Sequence, residues 1–350
     1  ASNKTLSGVI TVSAGLLKLN ETGTLASTVT MSGGSLDADE TLTVSGALSQ
    51  TADIAIDVAT GKTLTYSGSA ISVGANTITL SGGGNLVSGG LTLNDADSKL
   101  LLNSIILDSA STSANSLGID VDANSTVTSL SVGHITPISI AAAKRLSGAI
   151  AVTAGSLKLN ETGTLASTIA MSGGILDADE SSTGSGARTQ TADITIDVAT
   201  GKTLTYSGAA VNLGAKTLTL IGGGTLSNTN ALVLNNAGSL LSLAGILTIG
   251  DVDGTAISNS GKGILVTSSA TLGDYDLSAV SYLSLAANQT LAGQLNLKTN
   301  GELKTSGAGQ YIGDIALAGG KFSATDNQVL GGTLSVTADS ELTVSQGYTL

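Results

Sequence analysis

The chain has 350 residues, with 46 Gly, one Pro, no Cys, no Trp and only 2% aromatic side chains, yet 41% of it is hydrophobic. That composition excludes a disulfide scaffold, a thiolate metal site and a core built on large rings, and it leaves Ala, Val, Ile and Leu to form a thin, regular interior. Lys and Arg number 14 against 26 Asp and Glu, a formal charge of -12 that repels phosphate backbones, so nucleic acid is not an expected partner.

The sequence opens on polar residues, Ala1 to Lys4, and not on a signal peptide. A repeating grammar starts at Leu6-Ser-Gly-Val-Ile10-Thr-Val12, turns at Ser13 to Gly15 and resumes at Leu17-Lys-Leu19. Apolar residues alternate with Ser, Thr, Asn or Lys, the period of a strand with one face inward and the other in water. Gly, Asn and Ser clusters mark the turns, and no helical period is evident. No apolar run approaches the roughly 18 residues that span a bilayer; the runs are short, such as Leu100 to Leu102 and Ile105 to Leu107.

Thr-x-Thr pairs follow at Thr28/Thr30, Thr41/Thr43, Thr63/Thr65 and Thr77/Thr79, and later at Thr126/Thr128, Thr203/Thr205 and Thr217/Thr219. An ice-binding hydroxyl ladder needs a constant step equal to one coil. These starts are unevenly spaced, so Thr reads here as an outward strand residue. Acidic clusters occur at Asp37-Ala-Asp39-Glu40, at Asp120-Val-Asp122, at Asp177-Ala-Asp179-Glu180 and at Asp251-Val-Asp253-Gly254. They read as solvated turns. Asp251 and Asp253 are the candidates for Ca²⁺, because Asp-x-Asp-Gly resembles the start of a calcium loop, although no full loop pattern follows. No other cofactor is expected. Paired carboxylates would also suit a carbohydrate-active solenoid if they lay about 5 to 9 Å apart, an alternative that asks for aromatic platforms the composition does not favour. His134 is the single imidazole, which precludes a triad or a histidine metal cluster within the chain and predicts a surface or turn position. No enzyme is expected. Asn-x-Ser/Thr sequons at Asn3, Asn20, Asn124, Asn160 and Asn288 are what chance gives in so Asn- and Thr-rich a chain.

Residues 4–83 realign with 144–223 at a constant offset of 140, with Leu17 to Thr28 repeated unchanged at Leu157 to Thr168. Tyr66 and Tyr206 occupy equivalent positions, where they would pack at a coil corner or form a lateral contact. The copies differ most at one coil, where Leu42, Val44 and Leu48 become Ser182, Gly184 and Arg188. Losing these apolar groups predicts an irregular, outward-bulging segment over 181–190 and a regular strand over 41–50. Near the other end Gln289, Gln310, Gln328 and Gln346 open comparable units 21, 18 and 18 residues apart.

A strand unit recurring about every 20 residues predicts an all-β fold, a right-handed parallel β-helix. About 17 coils at strand spacing would make an elongated rod of about 80 Å, one continuous solenoid over 1–350. Repeat grammar runs from Leu6 to Leu350 without a cap. The chain therefore reads as part of a longer chain or as a filament subunit that self-associates.

The segments Gly-Lys-Thr-Leu-Thr-Tyr-Ser-Gly at Gly61 to Gly68 and at Gly201 to Gly208, with Gly222-Gly-Gly-Thr-Leu226, resemble the short strand repeats of autotransporter passenger domains and related filamentous adhesins. The resemblance implies a parallel β-helix presented outside the cell, in adhesion, biofilm or fibre formation, with host-cell, matrix or polysaccharide surfaces as partners. The expected role is the non-enzymatic shaft of an extracellular bacterial surface fibre; an ice-binding or carbohydrate-active solenoid is the alternative.

Overall fold

Residues that alternate in polarity every second position cannot bury their apolar half alone; each short strand needs a neighbour whose inward positions coincide with its own. The computed structural model describes residues 5–113, 117–160, 162–245, 248–255, 263–327, 329–347 and 349–350. Asn3 and Gln328 lie outside the described residues. Every described residue is in a strand, turn or irregular segment, with no α-helix and hence none long and apolar enough to cross a membrane. All pairings between strands are parallel, and successive partners lie one coil apart in sequence. The fold is a β-solenoid, and the chain divides into two compact units, 1–170 and 171–350.

In the first unit one ladder runs through Leu16–Leu19, Ser35–Ala38, Ile54–Val58, Thr77–Ser81, Lys99–Asn103, Gly118–Val121, Thr136–Ile140 and Ser156–Leu159. Its inward positions form a continuous aliphatic column in which Leu36, Ile56, Leu80, Leu102, Val121 and Ile140 are paired one above the next and all are buried. Each such side chain contributes about 1.5–3 kcal/mol by leaving water. Coils are not of fixed length. Corners absorb the difference, since the step from Ile56 to Leu80 is longer than the one from Leu36 to Ile56, yet inward residue still meets inward residue.

Two further faces begin as separate short ladders, one through Gly23–Leu25, Leu42–Val44 and Thr63–Tyr66 and one through Val9–Val12, Thr28–Met31 and Leu48–Gln50. They fuse at Ile106–Thr112, a single strand that pairs with both Asn85–Ser88 and Leu91–Leu93. Above it Ser125–Val132 and Arg145–Val152 continue the long strand around a bulge between Val127 and Ser129. Gly148 makes that bend possible. Its φ is +118°, and a Cβ there would lie 1.8 Å from the Val127 carbonyl oxygen.

The second unit repeats the scheme. Its lateral ladder passes through Ile175–Ala178, Ile194–Val198, Thr217–Gly222, Leu240–Leu243, Gly263–Val266 and Val280–Leu285, then Glu302–Ser306, Lys321–Ala324 and Glu341–Val344. Short strands fuse again at Ala270–Leu277, with a bulge between Thr271 and Asp274. Outward positions carry Ser, Thr, Asn and charge. Lys bridges one coil to the next, as Lys99 does to Asp120 at 2.6 Å in the first unit and Lys321 to Glu341 at 2.9 Å in the second. Such exposed pairs are worth about 0–1 kcal/mol each, so burial and the backbone ladder hold the coils.

Gly148→Ala should lower the unfolding free energy by roughly 2–4 kcal/mol, because the new methyl must displace backbone. Gly61→Ala, at φ +75° with nothing within 4 Å of the new atom, should cost about 1 kcal/mol. Urea titrations of the two variants against the parent chain measure the contrast.

Candidate functional site

The coil at which the two copies differ contains the least conventional side chain in the molecule. Strands Ser182–Gly184 and Arg188–Gln190 have the same lengths as Leu42–Val44 and Leu48–Gln50 in the other copy. Ser182, Thr183 and Gly184 pair with Leu204, Thr205 and Tyr206, the register in which Leu42, Thr43 and Val44 meet Leu64, Thr65 and Tyr66. The predicted outward bulge over 181–190 is therefore absent. Arg188 takes the place of Leu48 in an equally regular coil and is only 5% exposed. Backbone pairing fixes the strand, and the shorter Ser182 and Gly184 leave room inside for the longer side chain.

The guanidinium lies over the Tyr206 ring, 4.8 Å from its centroid. Nε, Nη1 and Nη2 are all buried and meet no protein acceptor. Burial pushes Arg188 down to about 10, partly opposed by Tyr206, so it keeps its charge at neutral pH. Tyr206 shifts upward, chiefly through burial. Tyr66 and Tyr206 are each 4% exposed and offer no ring to a lateral contact: both point inward. Glycine admits their hydroxyls, since a Cβ on Gly68 or Gly208 would lie 2.4 or 2.5 Å from the respective Tyr oxygen. The Tyr66 hydroxyl accepts a hydrogen bond from the Leu48 amide at 2.6 Å. In the second copy the Arg188 amide faces the Tyr206 hydroxyl in the same way and partly offsets its upward shift, but it falls outside strict hydrogen-bond geometry.

The calcium candidates lie elsewhere in the second unit, Asp253 on a strand and Asp251 immediately before it. Asp253 belongs to Val252–Gly254 and is aligned with Asp276 on the next coil. Burial, reinforced by Asp276, raises the Asp253 carboxyl above its ordinary value. Asp276 is pushed up by burial too, but hydrogen bonds from Lys298 and Asn296 outweigh this and hold it low. Asp251 Oδ1 accepts the Asp274 amide at 3.1 Å. Lys298 from a further coil pairs with Asp276 and acts electrostatically on Asp253. Among the described residues no three His, Cys, Asp or Glu side chains come close enough to hold a metal.

His134 lies exposed at a bend. The Thr pairs are distributed over different ladders, which is why their spacing along the chain is uneven. Thr28 and Thr30 belong to one face, Thr43 and Thr65 pair on another, and Thr77 and Thr79 lie on the lateral ladder. Reading pairs alone misses a threonine column, Thr203, Thr225, Thr248 and Thr271, one residue from each of four successive coils of the second unit. Aligning Thr at the coil step within one ladder would have found it. Ala292 ends it.

No protein-family model, curated protein or solved structure matches the chain.

Restoring the first copy's interior with Ser182→Leu, Gly184→Val and Arg188→Leu together should raise the unfolding free energy by about 2–4 kcal/mol, since well-packed apolar groups replace an unpaired buried charge. Equal or lower stability in denaturant titrations would show that the guanidinium is not a burden.

Proposed function

We propose that the chain forms a non-enzymatic structural shaft segment of an extracellular bacterial surface fibre or adhesin, in which coil stacks upon coil within a longer chain or between copies. One observation carries this reading: the outermost coils expose the residues that every inner coil buries. Leu6 is 60% exposed, whereas its partner one coil further on, Leu25, is 8% exposed. The repeat equivalent of Leu6 is Leu146, which pairs with Ser125 of the preceding coil and is 0% exposed. A coil beneath Leu6 would bury it in the same way. In the second unit Val336 and Leu342 face the interior column, paired with Leu317 and Phe322, yet they are 61% and 46% exposed.

An apolar column open to water beside unpaired strand edges is a template for another coil. The Ser, Thr, Asn and Asp side chains along the outer faces suit hydrated matrix or polysaccharide surfaces, and the resemblance to passenger-domain repeats supports the extracellular setting.

Sedimentation velocity and negative-stain electron microscopy test this. With rising concentration the chain should assemble end to end into rods that lengthen in whole-chain steps. Val336→Asp with Leu342→Asp should hold it at 34.1 kDa while leaving its β-sheet circular dichroism intact. A parent chain that stays monomeric at every concentration would overturn the proposal.

A further inference from the structure

The first unit holds, in its interior, a covered counterpart of its own exposed first coil. Leu146 to Leu159 are the repeat equivalents of Leu6 to Leu19. In the coil that covers them, Leu130, Ser131 and Val132 pair with Ile150, Ala151 and Val152, and Pro137 and Ile138 pair with Lys158 and Leu159. Under that cover Ile150, Val152, Leu157 and Leu159 are all buried.

The last coil of the second unit has the make-up of that covering coil. At a constant offset of 204, Leu130-Ser-Val132 recurs as Leu334-Ser-Val336, and Ile138-Ser-Ile140 recurs as Leu342-Thr-Val344. A constant offset keeps both strands in phase at once. The corner that follows carries a positive φ at the same place, 59° at Ala143 and 89° at Gly347. Val132, Ile138 and Ile140 are buried, whereas Val336, Leu342 and Val344 are exposed.

Charge and space agree with this match. Outward on the last coils, Glu302, Lys321 and Glu341 form a column of alternating sign, and on the first coils a column begins with Lys18 and Asp37. Transferring the internal register to the ends sets Glu341 opposite Lys18 and continues the alternation, and opposite charges paired across strands are stabilising. An open groove of about 690 Å³ lies against Leu19, Gly23 and Leu25. At Gly163, the equivalent of Gly23, the N–H donates to the Ile140 carbonyl oxygen at 3.0 Å, and a Cβ would lie 2.4 Å from Ile140 Cγ2. Val344 is the counterpart of Ile140, and Gly23 leaves it the same room.

Resting on the coil stacking proposed above, we infer that the first coil is the docking surface for the last coil of a second copy, held in one register. Leu334 meets Ile10, Ser335 meets Thr11, Val336 meets Val12 and Glu341 meets Lys18.

Two single-cysteine chains, Thr11→Cys and Ser335→Cys, test that register. Both positions are exposed, and parallel partners about 4.8 Å apart lie within disulfide reach. Under mild oxidation the mixed chains should form a covalent dimer that neither forms alone. Val9→Cys mixed with Ser335→Cys, two residues out of register, should link about tenfold more slowly. Glu341→Lys, which sets like charges side by side along the column, should weaken association about tenfold in sedimentation velocity. Assembly in which the Thr11 and Ser335 variants fail to link, or link no faster than the Val9 pair, would overturn the register while leaving end-to-end stacking intact, and so would unchanged association of Glu341→Lys. A parent chain that never assembles would remove both.

Discussion

Register between parallel coils is the constraint from which the remaining features follow. A strand's side chains alternate between faces, so a slip of one residue would turn an entire aliphatic row outward and bring Thr or Asp inside. Leu42, Leu64, Leu86 and Leu107 lie one above another in successive coils, and their outward neighbours Thr43, Thr65 and Val87 stay aligned alongside them. Backbone hydrogen bonds fix the spacing along this stack and burial fixes the phase. Insertions are therefore taken up at corners and at bulges, where glycine accepts positive φ and close backbone approach, as Gly148 does.

The two copies of the duplicated segment show how strong that constraint is. Ser182, Gly184 and Arg188 remove most of the apolar content of one coil, yet its strands keep their length and partners. The next coil, supplied with Ile194, Ile196, Leu204 and Tyr206, holds the altered one in place. The change in polarity is absorbed by side-chain placement: the guanidinium stays inside, against an aromatic face, and the backbone does not bulge. A repeat array tolerates a poor coil because each coil draws stability from two neighbours.

Much of this was legible in the sequence because it depends on a period of two and a repeat of about 20 residues, both of which are written directly in residues such as Leu17-Lys-Leu19 and Ile54-Ala-Ile56-Asp-Val58. The all-β class and the parallel stacking followed from them. Arg188 was misjudged for a physical reason. Local polarity argued for expulsion, and nothing in the local sequence encodes the pull of the coils on either side. Asp and Gly mark turns, so the Asp251 and Asp253 motif reads locally as a turn, whereas alignment with Tyr275 to Leu277 on the next coil draws Asp253 into a strand and leaves Asp251 at its edge. The Thr203 to Thr271 column was hidden because variable corners make a constant step in space an uneven one in sequence.

Parallel, in-register stacking is tested most directly by a distance between two outward positions on adjacent coils. The chain contains no cysteine, so Thr43→Cys with Thr65→Cys gives a unique pair for spin labels. Registered coils place these residues opposite each other, at the roughly 4.8 Å spacing of neighbouring strands, and the labels should show strong exchange broadening in the folded chain that disappears in urea. Narrow, uncoupled spectra from the folded protein would mean that the two segments are not stacked neighbours, and the solenoid account would fail.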